Sequence, residues 1–224
     1  MYNSSKRSKA GFSIIKTLLL IIIGFFIWNK FSDKVIYKNS PKYIVQLKKA
    51  IQKFAKQKDT VKSAYNEAIE AQNQAKEINY VFKNEKTKDF IKKWKIVEKE
   101  ATELRKKYEV YKNKTENFID GLDDKLSEIK NDATLKKKMK EYSKEKAKVM
   151  AQNILKIDSN IDSLETSIQK GNNLIIALET VSSFNELAQD VNDFDVLLKG
   201  SGKIFSDIDS LISEGMTVLD QELQ

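Results

Sequence analysis

Carboxylates and amines are the groups this chain offers for chemistry. Asp120, Asp123 and Asp124 form one acidic cluster and Asp190, Asp193 and Asp195 another. Hard cations take several carboxylate oxygens, so each cluster is a place to look for calcium or magnesium. Neither has the spacing. A calcium loop needs oxygen ligands at alternate positions, a central glycine and a glutamate at the twelfth, and after Asp190 and Asn192 the next ligand place holds Phe194. Both clusters read as carboxylates on solvated helix faces. The chain has no histidine and no cysteine, which removes the side chain best suited to proton transfer near neutral pH, thiolate nucleophiles and disulfides together. No glycine-rich phosphate loop occurs. No catalytic residue, cofactor, metal or small-molecule substrate is expected, and the chain reads as non-enzymatic.

The amines are more suggestive. Lys136, Lys137, Lys138 and Lys140, with Lys144, Lys146 and Lys148, have the density to grip phosphates. Glu141 and Glu145 interrupt the run and no nucleic-acid motif accompanies it, so a solvated helix face is the preferred reading and no nucleic acid is expected as partner. The net charge of +8 is unevenly spread: residues 33–150 carry 31 basic against 19 acidic groups, whereas residues 151–224 carry 4 lysines against 13 acids. Two uses of that asymmetry differ in class. A basic middle and an acidic end complement each other in a folded-back bundle, which is preferred; alternatively the basic middle binds a polyanion, nucleic acid or anionic lipid.

Long helices must position these groups. Seven glycines and one proline in 224 residues are far below ordinary usage, and abundant Lys, Glu, Ala, Leu and Ile is the composition of long helices. The fold class is all-α: a single N-terminal transmembrane helix followed by a bundle of long, antiparallel, coiled-coil-like helices.

The anchor is expected over residues 12–31. No charge interrupts Thr17 to Trp28, and with the upstream apolar residues the segment reaches about 20 residues, enough to match a hydrocarbon layer of about 30 Å. Its apolar residues are Phe12, Ile14, Leu18, Leu19, Leu20, Ile21, Ile22, Ile23, Phe25, Phe26, Ile27 and Trp28. Lys16 sits near one end, where its stem can lie in the apolar zone while the ammonium reaches the headgroups. Residues 1–11 read as a basic disordered tail. Trp28-Asn29-Lys30-Phe31 stands where a cleavage site would need small residues, so an uncleaved signal-anchor is expected. Lys6, Arg7 and Lys9 before the span are nearly balanced by Lys30, Lys34, Lys38 and Lys42 after it. The acid-free leader and signal-like layout favour a cytoplasmic N-terminus and an extracytoplasmic helical domain.

After a linker over 32–40, Ser40-Pro41 has the chemistry of a helix start. Ile44, Leu47, Ile51, Phe54, Val61, Tyr65, Ala68, Ala75 and Phe82 then alternate in threes and fours, with Lys58, Gln72 and Asn79 as polar seam positions that fix register. The polar patch over 83–87 marks a turn. The strongest seam follows: Phe90, Trp94, Val97, Ala101, Leu104, Tyr108, Tyr111, Thr115, Phe118 and Leu122. Its aromatic residues read as core rather than as a platform for bases.

A second turn is expected within 120–134, where Gly121 and Asp123-Asp124 permit a bend. Leu135, Met139, Tyr142, Ala147, Met150, Ile154, Ile157, Ile161, Leu164 and Ile168 make a third stripe, with one slip near Lys146. Lys170-Gly171-Asn172-Asn173 reads as a helix end capped by Gly171. Ile175, Leu178, Phe184, Leu187, Val191, Phe194 and Leu198 form a fourth helix, closing a bundle over 41–199. Gly200-Ser201-Gly202 reads as a hinge. Beyond it, residues 203–224 are an acidic amphipathic helix expected to dock through Ile204, Ile208, Leu211 and Val218.

These readings combine into a membrane-anchored helical scaffold, tether or docking protein that acts through coiled-coil-type contacts. Its expected partners are the lipid bilayer and a helical protein, itself or another.

Overall fold

Heptad seams long enough to bury a stripe on every turn produce the four helices of the described residues. They are α1 (Ser40–Glu77), α2 (Glu85–Glu128), α3 (Ala133–Thr180) and α4 (Phe184–Gln221). The computed structural model describes residues 40–80, 84–128, 133–180 and 184–221, and no strand occurs among them. The expected tail and anchor over 1–31, the linker up to residue 39 and seam residue Phe82 lie outside the described residues. Among the described residues no helix is long and apolar enough to cross a membrane.

The contacts fix the topology. Gln57 on α1 donates from Nε2 to the Glu100 carbonyl at 3.0 Å, and Lys114 donates to Gln46 Oε1 at 3.1 Å, so α1 and α2 run antiparallel. Trp94 Nε1 donates to Asn172 Oδ1 at 3.0 Å and Tyr108 Oη to the Ile154 carbonyl at 3.1 Å, which makes α2 and α3 antiparallel. Asn153 Nδ2 donates to the Leu211 carbonyl at 3.3 Å between α3 and α4. Lys48 pairs with Asp220, Lys58 with Asp209 and Lys76 with Asp195, so α4 runs antiparallel to α1 and closes the ring. Residues 41–224 form one compact unit, an up-down-up-down bundle with antiparallel neighbours and parallel diagonals.

Two aromatic layers fill its middle. Trp94 on α2 meets Tyr65 of α1 at 5.5 Å between ring centroids and Phe194 of α4 edge-on at 4.8 Å, and its indole lies on Gly171 of α3. One side chain thereby touches all three other helices. Some helical turns away, Phe54 packs on Tyr108 at 5.9 Å and Tyr111 at 5.7 Å. There Gly215 lets α4 approach the Tyr111 hydroxyl and Met150.

The turn after α1 is built by its own residues. Asn79 and Tyr80 have φ of 51° and 50°. The Tyr80 amide donates to the Ala75 carbonyl at 2.9 Å and the Asn79 amide to Lys76 at 3.0 Å, the pattern of a left-handed helix C-cap. Asn79 is therefore a cap and not the seam residue expected from its spacing. Asn84 Oδ1 then accepts the Lys86 amide at 2.9 Å and caps α2.

Three further expectations are corrected. Gly171 does not end a helix: α3 runs unbroken to Thr180, and a Cβ at residue 171 would lie 2.1 Å from the Trp94 ring. The glycine serves close packing, not a left-handed turn. Gly200-Ser201-Gly202 is not a hinge, since α4 passes through it, neither glycine has positive φ, and buried Ser201 donates to the Leu198 carbonyl at 2.6 Å. Ile175 and Leu178 accordingly belong to α3, and residues 203–221 are the second half of α4. The third stripe also fails at its start: Leu135 is 47% and Tyr142 41% exposed, and burial begins at Ser143 and Lys146. The connection between α2 and α3 falls after Glu128, within the interval expected, with Gly121 inside the helix.

Candidate functional site

The residues expected to pair helices are the bundle's own core. Phe90, Trp94, Val97, Leu104, Tyr108, Tyr111, Phe118 and Leu122 are each no more than 8% exposed. Ile208, Leu211 and Val218 are buried and Ile204 is half-buried against the same cluster. Phe205, which the sequence reading passed over, is buried beside Tyr65 at 6.0 Å. These side chains face one another across the bundle, which leaves its outer surface and its two ends to meet a partner.

Charge closes the ring of helices. Lys58 is a seam residue, 3% exposed, held by Asp209 of α4 and by Asp59 at 2.7 Å. Burial pulls its pKa down, the two carboxylates outweigh that, and the ammonium ends above its usual range. Gln72 donates to Asp195 at 2.7 Å and to Tyr80 Oη at 3.0 Å, while Lys76 grips the same carboxylate. Arg105 reaches across to α3, contacting Asp158 at 3.0 Å, Asp162 at 2.6 Å and Glu165 at 3.0 Å. Burial opposes its charge and the three acids more than restore it, so its pKa too is raised. The nearest acids along α2 itself are Glu103 and Glu109, two and four positions from Arg105. The fork geometry that suits guanidinium to several carboxylates instead fixes α2 against α3.

Four phenols are buried at these layers. Burial pushes Tyr65 and Tyr111 up to about 12 and raises Tyr80 and Tyr108 further. The hydroxyls of Tyr65 and Tyr111 have no hydrogen-bond partner of good geometry, although Ser167 and Ser201 lie near the first and Thr115 near the second.

Asp195 is committed to Gln72 and Lys76, and no group of three or more potential metal-ligating side chains occurs among the described residues. The grooves between helices are open and mixed in character; one of about 340 Å³ between α1 and α2 is lined by Thr60, Glu67, Lys93 and Ile96.

The first turns of α3 carry a dense run of exposed lysines. Lys136, Lys137, Lys138, Lys140 and Lys144 are exposed there together with Leu135 and Tyr142. Lys146 lies with its ammonium 4.0 Å from the Tyr142 ring centroid. The lysines were legible in the sequence. The exposure of the apolar residues among them was not, because their spacing continues the seam.

Comparison with protein-family models, with curated proteins and with solved structures finds no match.

Proposed function

We propose that this chain is a non-enzymatic helical spacer or scaffold, held to a membrane by residues 12–31 with its N-terminus cytoplasmic and the bundle on the opposite side. One observation carries the reading: the bundle is keyed along its whole length by paired charges and aromatic layers that join all four helices. Such a body holds two ends apart. Helices of 38 to 48 residues span roughly 60–70 Å, and the residues around the Asn79 turn mark the end far from residue 40. The core is closed, so partners, a second copy or another helical protein, engage the outer face or that far end.

Two measurements on cell membranes test the proposal. Carbonate washing is expected to leave the full chain in the pellet with its N-terminus intact. Crosslinking with a short reagent followed by pull-down is expected to recover a discrete helical partner or a dimer. A chain released by carbonate, or starting near Phe31, contradicts the anchor; a chain that crosslinks to nothing contradicts the scaffold.

The alternative, a polyanion binder acting through residues 33–150, is favoured by one observation, the exposed lysine run at the start of α3.

A further inference from the structure

The helical registers place that lysine run at one end of the bundle. Gly215 of α4 lies against Met150, and Tyr65 of α1 is near Ser167. Carried along the helices, these contacts set Gln221 and Ser40 level with α3 near Tyr142 to Lys144. Residues 133–141 therefore run past the described ends of α1 and α4, by roughly 14 Å. Leu135, Met139 and Tyr142 follow a spacing of four and three, which puts them on one helical stripe. Leu135 and Tyr142 are 47% and 41% exposed, and Met139 is half-buried.

Lysines surround that stripe. Between Ala133 and Lys144 there are five, against the single acid Glu141. The first turn of α3, from Ala133, holds no acidic residue, and Lys136 to Lys138 add to the positive charge of that helix end. In sequence the accompanying end of α2 is acidic, with Asp120, Asp123, Asp124 and Glu128 against Lys125. A short apolar stripe flanked by lysines on a helix that outruns its bundle is the pattern of a segment lying in an anionic lipid–water interface. Its location agrees: residue 40, where residues 1–39 are covalently attached, is at this same end.

We propose that residues 133–144 are a membrane-surface contact, in which Leu135, Met139 and Tyr142 enter the headgroup boundary and Lys136, Lys137, Lys138 and Lys140 engage anionic phospholipid. This deepens the preceding section, since it rests on residues 12–31 holding the chain to the bilayer. The contact gives the tether a second foot.

The absence of cysteine makes the test direct. Met139→Cys in the full chain, labelled with an environment-sensitive nitrobenzoxadiazole, is reconstituted into vesicles of phosphatidylcholine alone or phosphatidylcholine with phosphatidylserine. A blue shift and brightening are expected with phosphatidylserine only, and are expected to fade as salt rises. Replacing Lys136, Lys137, Lys138 and Lys140 by Gln together is expected to reduce the docked-to-undocked ratio roughly a hundred- to a thousandfold while leaving far-ultraviolet circular dichroism unchanged. Equal emission in both membranes overturns the proposal. A shift produced by polyuridylate on neutral vesicles overturns it in favour of nucleic acid. Carbonate washing of the same vesicles separates the two readings: a retained chain without the shift sinks the surface contact alone. A released chain sinks the anchor, and its flotation with phosphatidylserine vesicles, present or absent, then decides the contact.

Discussion

Gly171 and Gly202 are the same residue type in two mid-helix settings, and they are expected to respond oppositely to alanine. At Gly171 the added Cβ meets Trp94 at 2.1 Å. Trp94 cannot swing aside without losing its contact to Asn172 and its edge-on packing on Phe194, so Gly171→Ala is expected to destabilise by about 1–3 kcal/mol. Gly200 and Gly202 have nothing within 4 Å, so alanine at each removes backbone freedom at no steric cost and is expected to stabilise by up to about 1 kcal/mol. Urea titration of the three variants checks both signs, and a loss of stability at Gly202 would restore the hinge. The buried phenols set a second expectation. A pKa raised in the fold above the ordinary 10.0 contributes stability that is intact below pH 10 and lost as pH rises through the folded value. Each adds up to about 1.4 kcal/mol of destabilisation per pH unit across its window. For Tyr65 and Tyr111 that window runs from 10.0 to about 12, and raised Lys58 acts in the same direction. Loss of helicity at 222 nm is expected to coincide with the tyrosinate absorbance of the buried phenols, above pH 10. Complete tyrosinate absorbance with helicity intact would contradict the burial.

Among the elements, α4 best shows what the sequence disclosed and what it hid. Phe194, Leu198, Ser201, Phe205 and Ile208 keep the three-four alternation straight through the glycines, so the seam was legible across the supposed hinge. Giving two glycines priority over that periodicity split one helix in two and cost Phe205 its place in the core. Gly171 misled in the same manner, since 164, 168, 171, 175 and 178 are also unbroken seam positions. A glycine at a seam position can mean close approach as readily as a break, and the choice depends on the residue opposite, here Trp94, which lies 77 positions away in the sequence. The start of α3 erred the other way: its apolar spacing was real, but whether a stripe is buried depends on where the neighbouring helices stop, and that is a property of register. The strongest seam, Phe90 to Leu122, and the charge complementarity of the folded-back chain were both readable because they depend on local pattern and composition alone. With α4 continuous, Ile208→Asp with Leu211→Asp is expected to unfold the bundle as a whole, since each change buries a charge without a partner. Retention of most helicity by that variant in circular dichroism would show that residues 203–221 dock separately after all.

At the scale of the whole molecule, antiparallel neighbours mean that α2–α3 and α3–α4 close through short connections, whereas α1 and α4 meet only by joining the two ends of the unit. Lys58 and Asp209 are 151 residues apart and Lys48 and Asp220 are 172 apart. Loop closure over such separations is the slow part of assembling a topology. The ring of helices has a consequence during synthesis. α1 is made first and the helix that completes its cover is made last. At about 5–20 residues per second the ribosome needs on the order of ten seconds to travel from Lys58 to Asp209. Throughout that interval Tyr65 awaits Phe205, and Lys58 has Asp59 beside it but awaits Asp209. Nascent chains arrested before residue 200 are therefore expected to be cut within α1 by a brief protease pulse, and chains arrested once residue 221 has cleared the ribosomal exit tunnel to resist it. Equal resistance of both would mean that α1 finds a stable position on the α2–α3 hairpin alone. If the expectation holds, the unfinished protein exposes for several seconds an apolar, lysine-bearing helix, and that interval is when a chaperone or a second nascent copy has access to a surface the finished bundle conceals.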